Sequence, residues 1–320
     1  MHIHIHNALD SIDPPITQDV WEAAGIAGHH VTFGRDAADF LAQSASVEAL
    51  VASPWDMKRL DLSAAPKLKL LQSTSAGVDS LQPFDRIPAH AVLMNNRGIH
   101  AEKAGEFALM AILMLVNMIP RFVTDQRRQH WERITAGLAR SQRLTVVGLG
   151  SLGGAAAAQA KRLGMHVTGI RYGNEAHAHC NRTLTFTKLD EVLHETDILL
   201  LACPLTPETN NLLSAPRLAL LPHGAGVVNI GRGRLVDEAA LFNALDAGAL
   251  GGAVLDVFHE EPLPPGHRAW DVKNLIITPH MSSDDPTTYN AVTLEIFKKN
   301  LAAHEAGALP PTAVDRAKGY

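Results

Sequence analysis

The sequence predicts an α/β protein built from two doubly wound domains. Three observations carry that expectation. The chain has 320 residues, more than one small core holds at ~150 residues per domain. From residue 143 onward, short apolar runs alternate with helix-compatible stretches, the pattern of a parallel sheet covered on both faces. A looser alternation of the same kind fills residues 1 to 100.

The first half contains five strand candidates, "HIHIHNA", "HHVTFG", "VEALVAS", "LKLLQST" and "AVLMNN", with turn residues between them. His2, His4 and His6 share one face of the first strand. Without Cys, Asp or Glu among them, a polar strand face beside an Ile face is the reading preferred over a metal site. "AEKAGEFALMAILMLVNMIPRF" reads as a helix leading into the second domain. Its longest apolar stretch, Phe107 to Ile119, falls short of the ~20 residues of a membrane span, so a buried helix is expected. The second half offers six near-continuously apolar runs: "RLTVVGLG", "MHVTGIR", "TDILLLAC", "GAGVVNIG", "GGAVLDVF" and "NLIITPH". No strand pattern follows. Residues 286 to 306 have apolar positions at helical spacing, and that helix is expected to pack back on the first domain. The expected domains are therefore 1–100 with 286–320, and 101–285.

Composition narrows the class of partner. Charged residues make up 19% and hydrophobic residues 46%, with a formal net charge of −5 and no long basic run. Nucleic acid is not an expected partner, since phosphate binding leaves a clustered cationic footprint. The N-terminus lacks the cationic and apolar regions of an export signal, and two cysteines make no disulfide framework. A reducing, cytoplasmic location is expected.

Gly148, Gly150 and Gly153 form GxGxxG directly after an apolar strand and before an Ala-rich helix. In that context the glycines permit a tight turn and close backbone approach, and the helix start at Ser151 and Leu152 offers free N–H groups to a pyrophosphate. The second domain is thus read as a Rossmann dinucleotide-binding domain. Its second strand ends at Arg171, 171 − 148 = 23 positions after the first glycine, where an NAD site places an acid. A guanidinium there can bind a 2′-phosphate, which an acid would repel. NADP is therefore the expected cofactor, with NAD possible.

"VVNIGRGRLVDEAAL", "AVLDVFHEEPLP" and "NLIITPHMSS", with "LLACPLTPETNNLL" and "STSAGVDSL", together resemble the D-isomer-specific 2-hydroxyacid dehydrogenases. The resemblance runs from about residue 50 to 300, and "NNRGIHAEKAGEFAL" is similar to the glyoxylate and hydroxypyruvate reductase branch. It implies a smaller flavodoxin-like substrate domain beside the Rossmann domain, a small 2-oxo acid held between them, and a homodimer.

Residue by residue, the resemblance implies that Arg232 grips the substrate's carboxylate and 2-oxo oxygen. It implies that Glu261 pairs with His280, and that His280 protonates the oxygen as hydride arrives. Asp256 corresponds to the ligand of the nicotinamide carboxamide. Cys203, Pro204, Thr206 and Ile230 lie on loops that line the cofactor. Backbone N–H groups of Ala76, Gly77 and Val78 bind the substrate carboxylate. Trp131 sits where some of this branch send a Trp into the partner subunit's active site, with a plain core or surface Trp as the alternative.

The chain departs from the family at "MSSDDP" after His280, where a small apolar, glycine-containing run is usual. Formate dehydrogenases share the scaffold but have Gln where this chain has Glu261. The alternative from another class is a dinucleotide-sensing, corepressor-like binding protein without turnover.

Overall fold

The computed structural model describes residues 1–7, 15–173, 175–283, 285 and 287–319. Two compact units divide the chain. One comprises Met1–Ile99 with Asp285–Tyr320, the other His100–Asp284.

The first unit begins with β1 (His2–His6), α1 (Gln18–Ala23), β2 (His30–Gly34), α2 (Ala37–Ser44), β3 (Ala49–Ala52), α3 (Pro54–Arg59), β4 (Leu70–Ser73) and β5 (Val92–Met94). Its helices start where short polar side chains cap them: Thr17, Asp36 and Ser53 each accept a hydrogen bond from the helix's first turn, and Pro54 follows Ser53. The strands form one parallel sheet in the order β2-β1-β3-β4-β5, the flavodoxin-like arrangement.

The second unit opens with α4 (Ala101–Val116) and α5 (Ile119–Arg127). The single helix expected from Ala101 to Phe122 is therefore two. Met118 takes a left-handed φ of 54°, and Pro120 stands in the first turn of α5, where its missing N–H costs nothing. Among the described residues, no single helix is long and apolar enough to cross a membrane; α4 and α5 pass such a test only as a pair bent by 65°. Ala104, Phe107, Ala108, Ala111 and Ile112 on α4 are buried in the core of this unit.

There follow β6 (Arg143–Val147), α6 (Ser151–Arg162), β7 (His166–Arg171), β8 (Arg182–Thr185), α7 (Leu189–Leu193), β9 (Ile198–Leu201), α8 (Ala215–Leu218), β10 (Gly226–Asn229), α9 (Glu238–Asp246), β11 (Gly252–Leu255) and β12 (Leu275–Ile277). The seven strands are parallel in the order β12-β11-β10-β9-β6-β7-β8, and the order reverses between β6 and β9. Six of them are the apolar runs of the sequence. β8, "RTLT", is an edge strand whose polar residues hid it.

The chain then returns to the first unit as α10 (Tyr289–Glu305), whose Leu294, Phe297 and Leu301 pack with Ile3, Ile5 and Trp21. The expected start of this helix at residue 286 lies outside the described residues.

The polar face of β1 is not a solvent face. His2, His4 and His6 are only 8%, 0% and 7% exposed. β1 lies between β2 and β3, with Ile3 and Ile5 against α1 and α10 and His4 against Phe40 of α2. A strand in the middle of a doubly wound sheet is covered on both faces, so its polar residues have no solvent side to face. Among the described residues, His4 Nε2 and His6 Nδ1 are buried without a hydrogen-bond partner, and burial, aided by the charges of His6 and His2, lowers the pKa of His4 to about 4. No group of three or more His, Cys, Asp or Glu is placed to hold a metal ion among the described residues.

Candidate active site

The glycine loop sits where the strand order of the second unit reverses, the place at which open α/β sheets bind ligands. Each glycine has its own reason. Gly148 has φ +92°, and a Cβ on it would lie 2.6 Å from the Cys203 backbone. A Cβ on Gly153 would fall 1.8 Å from the Gly148 carbonyl oxygen, so this glycine lets α6 close against the strand. A Cβ on Gly150 would meet nothing within 4 Å, and Gly150 caps α6 without any side-chain hydrogen bond. The N–H groups at Ser151 and Leu152 thus open α6 beside free space, which suits an anion.

Cys203 and Pro204 follow β9 across the switch point from Gly148. Cys203 is buried, and burial pushes its thiol up to about 12, so it is packing rather than chemistry. Thr206 is buried too; its hydroxyl lies 3.2 Å from that of Thr209 inside its own turn. Ile230 is core. These residues line the end of the sheet with backbone and apolar surface. Arg171 ends β7 half-buried, with Nε 3.9 Å from Glu175 Oε2, a long contact that, among the described residues, leaves most of the guanidinium's donors uncommitted.

The second cluster lies at the ends of β10, β11 and β12. After β10, the Asn229 side chain braces the GRG turn: its Nδ2 donates to the Arg232 carbonyl at 2.9 Å and its Oδ1 accepts from the Gly231 N–H at 3.0 Å. Arg232 Nη1 donates to the Gly231 carbonyl at 2.8 Å. Gly233 allows the segment after β11 to approach, since a Cβ there would lie 2.0 Å from the Phe258 carbonyl carbon.

Glu261 and His280 meet. Glu261 Oε2 is 2.6 Å from His280 Nδ1, and Glu261 Oε1 accepts the Phe258 N–H at 2.8 Å. The hydrogen bond that His280 donates to Glu261 raises the pKa of His280, against partial burial and the charge of Arg232. Burial pulls Glu261 upward, but the His280 and Phe258 hydrogen bonds and the charges of His280 and Arg232 leave it below the ordinary carboxylate value. The side chain of His280 is 48% exposed, and Nε2 has no partner among the described residues. A carboxylate that holds Nδ1–H leaves Nε2 as the nitrogen able to deliver a proton.

Asp256, 1% exposed, does work that the sequence did not reveal. Its Oδ1 accepts from the Thr278 hydroxyl at 2.6 Å and the Met281 N–H at 2.9 Å, and its Oδ2 from the Ser282 N–H at 2.9 Å. It thereby fixes the turn on which His280 sits with φ 53°. Asn229, Thr278 and Ser282 were missed because nothing in their spacing marks them; only the fold shows which turn each one ties. Part of the unusual run after His280 is now placed, with Ser282 buried, while residues 284 and 286 fall outside the described set.

Ala76, Gly77 and Val78 lie in the first unit, on the loop after β4. Their N–H groups have no acceptor among the described residues.

Known proteins resemble the chain over most of its length. Residues 109–282 match the family model described as D-isomer specific 2-hydroxyacid dehydrogenase, NAD binding domain. A glyoxylate reductase from Thermococcus kodakarensis is 30% identical over 266 residues, which cover 79% of this chain and 78% of that protein. Among solved structures, a D-isomer specific 2-hydroxyacid dehydrogenase from Xanthobacter autotrophicus Py2, in complex with NADPH and MES, superposes with TM-score 0.85 at 30% identity, covering 99% of each chain. An NADPH-dependent glyoxylate/hydroxypyruvate reductase from Sinorhizobium meliloti, in complex with NADP and sulfate, superposes with TM-score 0.80 at 26% identity, covering 100% of each.

Proposed function

The chain belongs to the D-isomer specific 2-hydroxyacid dehydrogenase family, and from that premise we propose that it reduces small 2-oxo acids such as glyoxylate and hydroxypyruvate to D-2-hydroxy acids with NADPH, NADH serving less well. The observation that carries this reading is the 2.6 Å contact between His280 and Glu261, next to the charge of Arg232.

The nucleotide fits the residues present. Gly148 and Gly153 admit no side chain, Gly150 faces open space, and the N-terminus of α6 has no capping side chain. Gly148, Gly150, Ser151, Leu152 and Gly153 would hold the pyrophosphate, Arg171 the 2′-phosphate, and the backbone around Cys203, Pro204, Thr206 and Ile230 the remainder. When bound, the nicotinamide supplies a hydride. The chain supplies the rest: Arg232 holds the carboxylate and polarises the 2-oxo group, and protonated His280 donates from Nε2 to the oxygen as negative charge develops there. Glu261 keeps His280 charged and correctly oriented. Asp256 holds the His280 turn, and its Oδ2 retains capacity for a carboxamide N–H. Ala76, Gly77 and Val78 would offer their N–H groups to the carboxylate.

A binding protein without turnover would not need the His280–Glu261 pair, so a corepressor-like role is not favoured. A homodimer is the proposed assembly. Segment 130–138 has no regular secondary structure and is exposed apart from Ile134, Trp131 is 95% exposed, and Met110 on α4 is 38% exposed; a second copy would cover this surface. Cytoplasm is the proposed location, since both Cys180 and Cys203 are free thiols.

The test is a turnover panel of glyoxylate, hydroxypyruvate and phenylpyruvate with NADPH and with NADH. Turnover with at least one acid, and a higher kcat/KM with NADPH, is expected. Absence of turnover with all three would leave only a dinucleotide-binding role.

A further inference from the structure

The first unit contains a chain of buried amide and hydroxyl groups that the proposed reaction does not use. Gln72, Asn96, Thr293 and Asn300 are all 0% exposed. Asn300 Nδ2 donates to Gln72 Oε1 at 2.8 Å and to Thr312 Oγ1 at 2.7 Å, and Asn300 Oδ1 accepts the Thr312 N–H at 3.2 Å. Gln72 Nε2 donates to the Ser73 carbonyl at 2.8 Å and to Asn96 Oδ1 at 3.2 Å. Asn96 Nδ2 donates to Thr293 Oγ1 and to the Thr74 carbonyl, both at 2.7 Å.

Burying so many polar groups is costly unless each is paired, and paired networks specify one geometry. This network ends on a particular stretch of backbone. The Thr74 carbonyl accepts from Asn96 Nδ2 and from the Tyr289 hydroxyl, the latter at 2.5 Å. The Ser75 carbonyl accepts the Asn96 N–H at 3.1 Å and the Ser73 hydroxyl at 2.9 Å. The Ala76 carbonyl accepts from Asn95 Nδ2 at 3.0 Å. Every carbonyl from Ser73 to Ala76 is thus held, and the N–H groups of Thr74 and Ser75 are taken by the Ala52 carbonyl and the Ser73 hydroxyl. The next three N–H groups, at Ala76, Gly77 and Val78, have no acceptor among the described residues.

We propose that Asn96, backed by Gln72, Thr293 and Tyr289, is a positioning residue for substrate: it fixes the carbonyls of Thr74 to Ala76 so that the following N–H groups are set in advance as a carboxylate receptor. The inference rests on the 2-oxo acid reading of the site. Its chemistry is that of a backbone nest, in which consecutive N–H groups receive an anion and gain from having no ordering left to do at binding. The helix that supplies Thr293, Tyr289 and Asn300 comes some 200 residues after the loop it holds, which gives the terminal helix a share in substrate affinity.

A carboxylate contact is the same in the bound substrate and in the transition state. Loosening it raises KM and spares kcat, unlike damage to Arg232 or His280. Asn96→Ala should raise KM for glyoxylate about 10- to 100-fold, within the worth of one hydrogen bond to a charged group. Its kcat should stay within about threefold, and NADPH binding, followed by fluorescence, should not change, because the glycine loop and Arg171 lie in the other unit. Tyr289→Phe, which deletes one hydroxyl, should raise KM several-fold at unchanged Tm. Should Asn96→Ala not fold, Tyr289→Phe and Thr293→Val carry the measurement.

Oxalate binding by calorimetry accompanies the kinetics and needs no turnover. If wild type turns over no 2-oxo acid but binds oxalate, and the variants lose that binding, the functional reading fails and the receptor stands. A variant with lower Tm and unchanged KM and oxalate affinity would reduce the network to a folding element and overturn the proposal.

Discussion

β1 and β6 hold the same place in two sheets. Each is the first strand of its unit, each lies at the point where strand order reverses, and each is buried on both faces. They handle buried polarity in opposite ways. In β6 the polar residue in the middle, Thr145, shares a 2.7 Å hydrogen bond with Thr196, so its hydroxyl is satisfied. In β1 two histidines bury ring nitrogens that have no partner among the described residues. Interior polarity is thus paired in one sheet, and carried into the other as imidazoles, whose burial is expected to make folding depend on pH. The contrast also teaches that period-2 alternation reports exposure only when one face of the sheet meets water, which the reversal point of a doubly wound sheet does not allow.

The largest expected effect tests the first half of this contrast. His280→Ala should lower kcat by roughly 10² to 10⁴, the usual worth of a positioned general acid, while NADPH affinity and Tm hold. His280 sits past the end of β12 and is half-exposed, so its loss removes no core contact. Wild-type turnover in the variant would take the proton donor away from this strand end.

The second effect is one of stability and belongs to β1. The folded pKa of His4 is lowered to about 4, whereas an unfolded histidine titrates near 6.5. Between these values the unfolded chain binds more protons than the folded one, so stability is full above about pH 6.5 and is lost as pH falls toward 4. The loss attributable to His4 is on the order of 3 kcal/mol. His6 and His2, which burial also lowers, add to it, while Asp39 opposes it at His4. Urea unfolding followed through buried Trp21 should show this slope in wild type and a flatter one in His4→Leu. An identical slope in both proteins would mean that the buried imidazole is not the acid-sensitive group.

What the sequence made legible follows the same line. Apolar runs such as "TDILLLAC" and "GAGVVNIG" identified β9 and β10, because a strand covered on both faces has little freedom in composition. β8 was hidden because an edge strand can be polar, and the break between α4 and α5 was marked by Pro120 but outweighed by the apolar run around it. Within the site, Arg232, Glu261 and His280 were readable because their motifs are long and ordered. Asn229, Asp256's grip on Thr278 and Ser282, and the Asn96 network were not, since a side chain that ties a turn from a distant strand or helix leaves no local pattern.

Arg171 offers the finest test, because it asks whether polarity at the end of β7 selects between two cofactors that differ by one phosphate. Among the described residues its guanidinium forms one ion pair, with Glu175 at 3.9 Å, a distance and exposure at which an ion pair contributes little. A 2′-phosphate would therefore compete easily for the same donors, gaining charge-assisted hydrogen bonds worth ~1.5 to 3 kcal/mol, or roughly 10- to 150-fold in affinity. Arg171→Ala should weaken NADPH by about that factor and leave NADH nearly unchanged. Arg171→Asp should reverse the preference, since a carboxylate repels the phosphate and accepts from the ribose hydroxyls of NADH. Both cofactors are compared by KM at one ionic strength, because salt screens a contact this exposed. A ratio that moves in neither variant would make Arg171 a solvated partner of Glu175, and cofactor choice would then have to come from the backbone of the loop after β7.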